Sequence, residues 1–374
     1  MYRILILIFL LLACGCNKQS ESLKYNEPIL AEIVDGYSRD LIIHNDTLFV
    51  VNKDEGLLIY KIDIDTIITI DTTSTIDTTS MDSIFTTSLI LNTIYSNPNT
   101  YKNWNLSGVL YSNKMDMVFL LDEFYETYSS KLADILIGLP NYQNIKSKTD
   151  NQHSSKFTIN NSNDNLDIFI LIRNKSGYST SGITSIYQSK WSKEIEEFVE
   201  SLVIDSLYYN LMDVHYLNQK LIISNTNDSF PEFQIYNISE TVNPFYDTLT
   251  IVNTIETPAI PNALYSTGDT LFVGMGDHGG VQVYNLSNAD NIELISWFAT
   301  GFSVKEIYWE PSFRRVLLSC SFQGVVVIEL DENMQEVDSW ILNTSYAYAA
   351  RNYMGHIIVA TRNGLEIINL NNSQ

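Results

Sequence analysis

Five stretches of the chain follow one plan, and that plan restricts the fold more than any other feature. They are "NDTLFVVNKDEGLLIYKID" (45–63), "NQKLIISNTNDSFPEFQIYNIS" (218–239), "GDTLFVGMGDHGGVQVYNLSN" (268–288), "FRRVLLSCSFQGVVVIELD" (313–331) and "MGHIIVATRNGLEIINLN" (354–371). Each starts polar, runs through a short apolar strand, turns, and resumes as a second strand. Val281, Val283 and Leu286 show the alternation of a half-buried strand, though imperfectly. The turns carry Gly56, Gly279, Gly280, Gly324 and Gly364, which are expected to supply positive φ at a hairpin.

Another strand precedes each hairpin and one more follows it. "IPNALYST" precedes 268–288, and "NIELISWFATG" follows it. One unit is therefore four antiparallel strands, A to D. The last units begin near Ile260, Ser303 and Ser345, about 42 residues apart. Four strands at that period make a β-propeller blade. Inner A strands are read at "RDLIIHN", "LSGVLYSN", "SKFTINNSN", "LMDVHYLN", "IPNALYST", "FSVKEIYWEP" and "SYAYAARNY". The expectation is an all-β chain of seven blades. Six is the alternative, because the unit at Ser155 is degenerate. The last unit lacks a D strand, and "EPILAEIVDG" (27–36) has the right form to supply it. Such closure removes the open edges of a linear array.

Two segments break the repeat. Residues 65–88, rich in Thr and Asp, read as a long C–D loop or a strand extension, with no Gly-containing calcium loop. In "WSKEIEEFVESLVID" (191–205), Ile195, Phe198, Val199 and Leu202 fall on one helical face. The repeat wants a D strand there, so a short helix or loop leading into one is expected.

The opening "MYRILILIFLLLACGC" has one positive residue, Arg3, and then an apolar run too short to span a bilayer. It is similar to a bacterial lipoprotein signal, in which a cysteine behind small residues is lipidated. Cys16 is the preferred site and Cys14 the alternative. The expected organisation is a signal over 1–15, a polar tether over 16–26 and one propeller domain over 27–374. A bacterial envelope location, anchored in the membrane and facing periplasm or cell surface, follows from that reading.

The hairpins at Leu48–Val51 with Gly56–Ile59, and at Leu271–Val273 with Gly279–Val283, resemble the LVIVD repeat of exported bacterial propellers. Ile357–Ala360 with Gly364–Ile368 matches less closely. Lys61, Asn285 and Asn369 stand where that repeat ends in Asp. The resemblance implies a propeller on an exported, often lipid-anchored protein, and it brings no catalytic residues.

The residues themselves carry no recognisable catalytic motif. The five histidines (His44, His153, His215, His278 and His356) lack metal-ligand spacing, and there is no nucleophile elbow or phosphate loop. Cys320, among strand residues, reads as core filler. Trp191, Trp297, Trp309 and Trp340 are candidates for a carbohydrate groove, with blade packing the plainer role. "LLDEFYETY" (120–128) is a second candidate surface, read first as an ordinary loop. A formal charge of -22 argues against nucleic acid as a partner.

Aligning the units on their B strands brings Asp40, Gly108, Asp213, Ala263 and Ala349 to equivalent places, with Lys305 and Glu306 close by. Asp40, Asp213 and Glu306 are therefore the candidate channel-mouth ligand site. The plainer reading is that these carboxylates hydrogen-bond backbone amides. The expected function is non-enzymatic: an envelope propeller presenting a surface to a protein or ligand. The alternative is a polysaccharide-binding or hydrolytic propeller with an acidic channel. No cofactor is expected, and calcium is the one left open.

Overall fold

The computed structural model describes residues 24–370 apart from 27–29, 35, 54–55, 71–82, 97–104, 123–126, 137–139, 141, 147–151, 161–166, 175–183, 193–196, 208–209, 227–229, 241–246, 277–278 and 289–290. Cys14, Cys16, Asp277 and His278 lie outside the described residues.

Seven antiparallel sheets succeed one another along the chain. Their inner strands are Ser38–His44, Leu106–Ser112, Gln152–Asn160, Asn210–Leu217, Pro261–Thr267, Glu306–Glu310 and Ala347–Tyr353. Each inner strand packs beside the next, and the seventh packs beside the first, so the sheets form a closed ring. The degenerate third unit is a complete blade, from Gln152–Asn160 out to Glu197–Leu207. Six blades are thereby excluded.

Closure occurs where the repeat required it. Leu30–Val34 pairs antiparallel with Gly364–Asn369, setting Leu30 opposite Ile368 and Val34 opposite Leu365. Lys24–Asn26, the end of the stretch read as a tether, adds a parallel fifth strand to blade 6 beside Trp340–Leu342. The sixth and seventh blades are thus both tied to the N-terminal segment.

The core lies between blades and repeats from one interface to the next. Phe49, Phe119, Phe169 and Phe272 occupy the same B-strand position in blades 1, 2, 3 and 5, paired with Ile42, Leu110, Thr158 and Tyr265 of the inner strands. All four are fully buried. Phe49 stacks on Tyr111, Phe169 on Tyr216, and Phe272 on Trp309, with centroids 5.5, 6.0 and 5.5 Å apart. In each case the ring of one blade lies on an aromatic of the next blade's inner strand. Such stacking adds about 1 kcal/mol beyond the area it buries.

The helical periodicity at 191–205 is overruled. Thr184–Ser192 and Glu197–Leu207 form an antiparallel pair with Phe198 opposite Trp191, Leu202 opposite Tyr187 and Ile204 opposite Ile186. Phe198, Leu202 and Ile204 also satisfy a period of two, and an open sheet edge decides between the two patterns. Phe198 packs edge-on against Trp191, with centroids 5.1 Å apart. A helix forms instead at Leu132–Leu136, between the C and D strands of blade 2, where it buries Ile135.

The Thr/Asp tract extends strands on both sides. Gly56–Ile70 and Ser83–Ser96 pair out to Ile70 opposite Ser83, so this hairpin is longer than the corresponding one in any other blade. Residues 71–82 lie outside the described part.

Four of the five turn glycines have positive φ: Gly56, Gly280, Gly324 and Gly364. Gly279 is not among them. It is small for a different reason, since a Cβ there would meet the Met275 and Ala259 Cβ atoms at 2.7 and 2.9 Å.

Candidate functional site

The inner strands enclose a central cavity of about 340 Å³. In six blades the A–B ladder slips near the start of the inner strand, the exception being blade 6. A bulge of this kind re-aims the residue that follows it. The ring of equivalent positions reads Asp40, Gly108, Lys156, Asp213, Ala263, Glu306 and Ala349. Ser224 and Ser319 mark Asp213 and Glu306 as members, because each serine faces the acid across the ladder. Two residues further along stand Thr158, His215, Tyr265 and Arg351, which also line the cavity.

The three predicted carboxylates are therefore brought to one cavity wall, but each is already engaged. Asp40 accepts hydrogen bonds from its neighbour Leu41 N (2.8 Å) and from Val109 N of the next blade (3.1 Å). Asp213 repeats this geometry three blades on, accepting from Val214 N (2.9 Å) and Leu264 N (2.8 Å). Thr158 Oγ1 accepts from Tyr216 N of the following blade (3.1 Å). Glu306 Oε1 pairs with Arg351 Nη1 at 2.6 Å, again across a blade boundary. The inner ring is thus held together by side chains that each reach the blade ahead.

The charge balance also differs from an acidic basket. Arg39, Lys156, Lys305 and Arg351 line the same cavity as Asp40, Asp213 and Glu306. Four cations against three engaged carboxylates do not make a calcium cage, which needs several free oxygens converging on one point. Among the described residues, no three His, Cys, Asp or Glu side chains cluster with the geometry of a metal site. Lys156 escaped the sequence alignment because its unit is the degenerate one; its pairing with Leu171 is what identifies its position.

Burial dominates the titration of this wall. It pushes Asp40 up to about 6, partly opposed by Arg351 and aided by Glu306. It pulls His215 down to about 4, so that imidazole is neutral at pH 7. A raised carboxylate pKa means the folded state binds the proton more tightly than the unfolded one. The stability Asp40 contributes is therefore complete below its unfolded value near 4 and is lost as pH rises through 6. Denaturant titrations of wild type and Asp40→Asn should show wild type losing about 2 kcal/mol relative to the variant between pH 4 and 7. A pH-independent difference would contradict the assignment.

The remaining sequence candidates are structural. Cys320 is fully buried, and burial holds its thiol up at about 12. Trp309 is buried, whereas Trp297 is half-exposed and donates its Nε1–H to Gly279 O at 2.8 Å. Trp191 lies on blade 3, Trp297 on blade 5, and Trp309 and Trp340 on the inner and outer strands of blade 6, so the four do not line one groove. Of the 120–128 stretch, Leu120, Leu121, Asp122 and Thr127 are buried in blade 2, and Asp122 accepts from Asn105 N.

A feature that the sequence does not display lies on the face formed by the B–C turns and the connections into the A strands. Phe322, in the B–C turn of blade 6, is 67% exposed. It meets Tyr346 edge-to-face at 4.6 Å; Tyr346 meets Tyr348 at 4.6 Å, and Tyr348 meets Tyr37 at 5.5 Å. Arg362 covers the rings of Tyr346 (4.2 Å) and Phe322 (5.0 Å). Arg39 covers Tyr37 (5.0 Å) and Tyr348 (5.6 Å), and Lys53 also lies over Tyr37 (5.5 Å). This row of rings and cations spans blades 6, 7 and 1, and through Arg39 and Tyr348 it reaches the cavity.

With this geometry in place, comparison with known proteins settles the architecture. No family model matches the chain, and no curated protein matches it. Solved structures do. The WD40 β-propeller domain of Doa1 aligns with a TM-score of 0.55 and 10% identity over 92% of this chain and 96% of that one. The RRP9 WD40 repeats align at 0.56 and 8% identity, covering 93% and 99%. A chain of the Mitotic Checkpoint Complex aligns at 0.58 and 10% identity, covering 95% of each. The chain is a seven-bladed β-propeller. At these identities the likeness concerns fold alone, a fold consistent with protein interaction.

Proposed function

We propose that this propeller is a non-enzymatic interaction module, anchored to the bacterial cell envelope by a lipidated cysteine, which presents one face to a protein partner. One observation carries the reading. The carboxylates of the channel wall are spent on holding blades together, while a continuous row of rings and cations, with Phe322 exposed, lies on one rim face. An enzyme needs an acid or base free to meet a substrate, and Asp40, Asp213 and Glu306 are committed to Val109, Leu264 and Arg351. Rigid blades joined by turns suit a scaffold that displays a surface. One similar chain belongs to the Mitotic Checkpoint Complex, in keeping with such a role.

Anchoring rests on the N-terminal sequence and is tested separately. In a bacterial host fed a labelled fatty acid, wild type should incorporate label and fractionate with membranes. Cys16→Ser should lose both, with Cys14→Ser unaffected. Undiminished labelling in the Cys14→Ser/Cys16→Ser double variant would remove the anchor from the account.

A further inference from the structure

From the ring-and-cation row across blades 6, 7 and 1 we infer that this face binds an extended acidic peptide segment of the partner. The inference rests on the interaction-module reading and supplies the chemistry of the ligand.

Three observations select that chemistry. First, the flat faces of Tyr346, Phe322 and Tyr37 are occupied by guanidinium or ammonium groups. Sugar rings and nucleobases bind by stacking on open aromatic faces, and on each of these rings a cation competes for a face. The row also offers ring edges and the exposed guanidinium of Arg362, whose Nε donates to Tyr348 Oη at 3.3 Å. Ring edges carry the positive end of the aromatic quadrupole, and a guanidinium fork matches a carboxylate. Both favour carboxylates at intervals along a chain.

Second, Phe322 is held outward rather than free to fold away. Ser321, just before it, has a φ of 57°. The turn is closed by Gly324 N to Ser321 O (3.1 Å) and Gln323 N to Cys320 O (3.2 Å), and Ala347 N ties Ser321 O to blade 7 (2.9 Å). A large apolar ring fixed in water on a rigid turn costs solvation that a partner recovers. Apolar residues between the acids of the ligand would cover it.

Third, the acid Glu366 near this row is buried and turned to Ser345. Its carboxylate accepts from Ser345 N (3.1 Å) and Ser345 Oγ (2.6 Å). Arg362, Arg39 and Lys53 give the row three cations within a chain of formal charge -22. That overall charge adds a filter, because a polyanion of high density such as nucleic acid is repelled at long range more strongly than a short acidic segment.

The test uses the full chain in detergent and a fluorescent decapeptide alternating Glu with Leu, read by anisotropy at low and at physiological salt. Binding is expected at low salt and should weaken as salt rises. The Gln-for-Glu peptide should bind at least about tenfold more weakly, the loss expected when charge-assisted hydrogen bonds are removed. Arg362→Gln and Arg39→Gln should each lower affinity by about the same factor, and Phe322→Ala should lower it with little change in salt slope. Lys114→Gln, on the opposite face, should leave binding unchanged. Far-UV spectra matching wild type confirm that each variant is folded.

Equal binding of the Glu and Gln peptides would overturn the inference. So would a Lys114→Gln loss as large as that of Arg362→Gln, or tight binding of polygalacturonate with no binding of the peptide. None of these outcomes bears on the broader interaction reading, which is judged by whether any face of the propeller contacts a partner in cells.

Discussion

Deleting residues 30–34 should abolish cooperative folding. This five-residue strand completes the outer edge of blade 7, where Val34 faces Leu365 and Leu30 faces Ile368. Without it, Gly364–Asn369 becomes an open edge on a sheet whose Leu365 and Ile367 are fully buried. A row of unsatisfied amides beside apolar side chains invites pairing with another chain. The ring would also lose the tie between its two ends, so local opening of blade 7 no longer requires opening the whole ring. The expected result is a broad, non-cooperative melt with concentration-dependent aggregation, against a single sharp transition in wild type. A truncated chain that melts as sharply as wild type would show that closure by the N-terminal strand is dispensable.

Replacing Asp213 by Ala should destabilise the protein by about 4 kcal/mol, since two charge-assisted hydrogen bonds are lost and both amides stay buried. Asp213 is 8% exposed, and its two oxygens serve Val214 N and Leu264 N separately. Asp213→Asn keeps one acceptor oxygen and should lose roughly half as much. Asp40→Ala removes the same pair of bonds from a position more open to the cavity, so its cost should be smaller. Urea titration of the three variants orders them. If Asp213→Ala is no worse than Asp213→Asn, the carboxylate is not the staple between blades 4 and 5.

The ring was legible because its information is periodic. The hairpins at 45–63, 268–288 and 354–371 repeat their strand–turn–strand order closely enough to be superposed by eye, and blade count and closure follow from counting. Where the repeat decays, reading failed in physically intelligible ways. Lys156 went unnoticed because only its pairing with Leu171 identifies its place. The stretch 197–207 satisfied two periodicities at once, and the choice was made by the open edge of Thr184–Ser192, which no local window contains.

The candidate site was legible in position but not in role. Aligning B strands brought Asp40, Asp213 and Glu306 to one wall, where the cavity now places them. What they do depends on Val109, Leu264 and Arg351, each on the following blade. The rim row was invisible for the same reason. Phe322, Arg362 and Tyr37 are far apart in the chain and meet only because consecutive blades, and the closing one, align their turns on a common face.

The central claim is that this face meets a partner. A photo-reactive amino acid placed at Arg362 in the rim row, or at Lys114 on the opposite face, and irradiated in living cells tests it most directly. The account predicts a discrete crosslinked species from position 362, lost when Phe322→Ala is added, and none from position 114. Crosslinks of equal yield from both positions, or from neither, would contradict it.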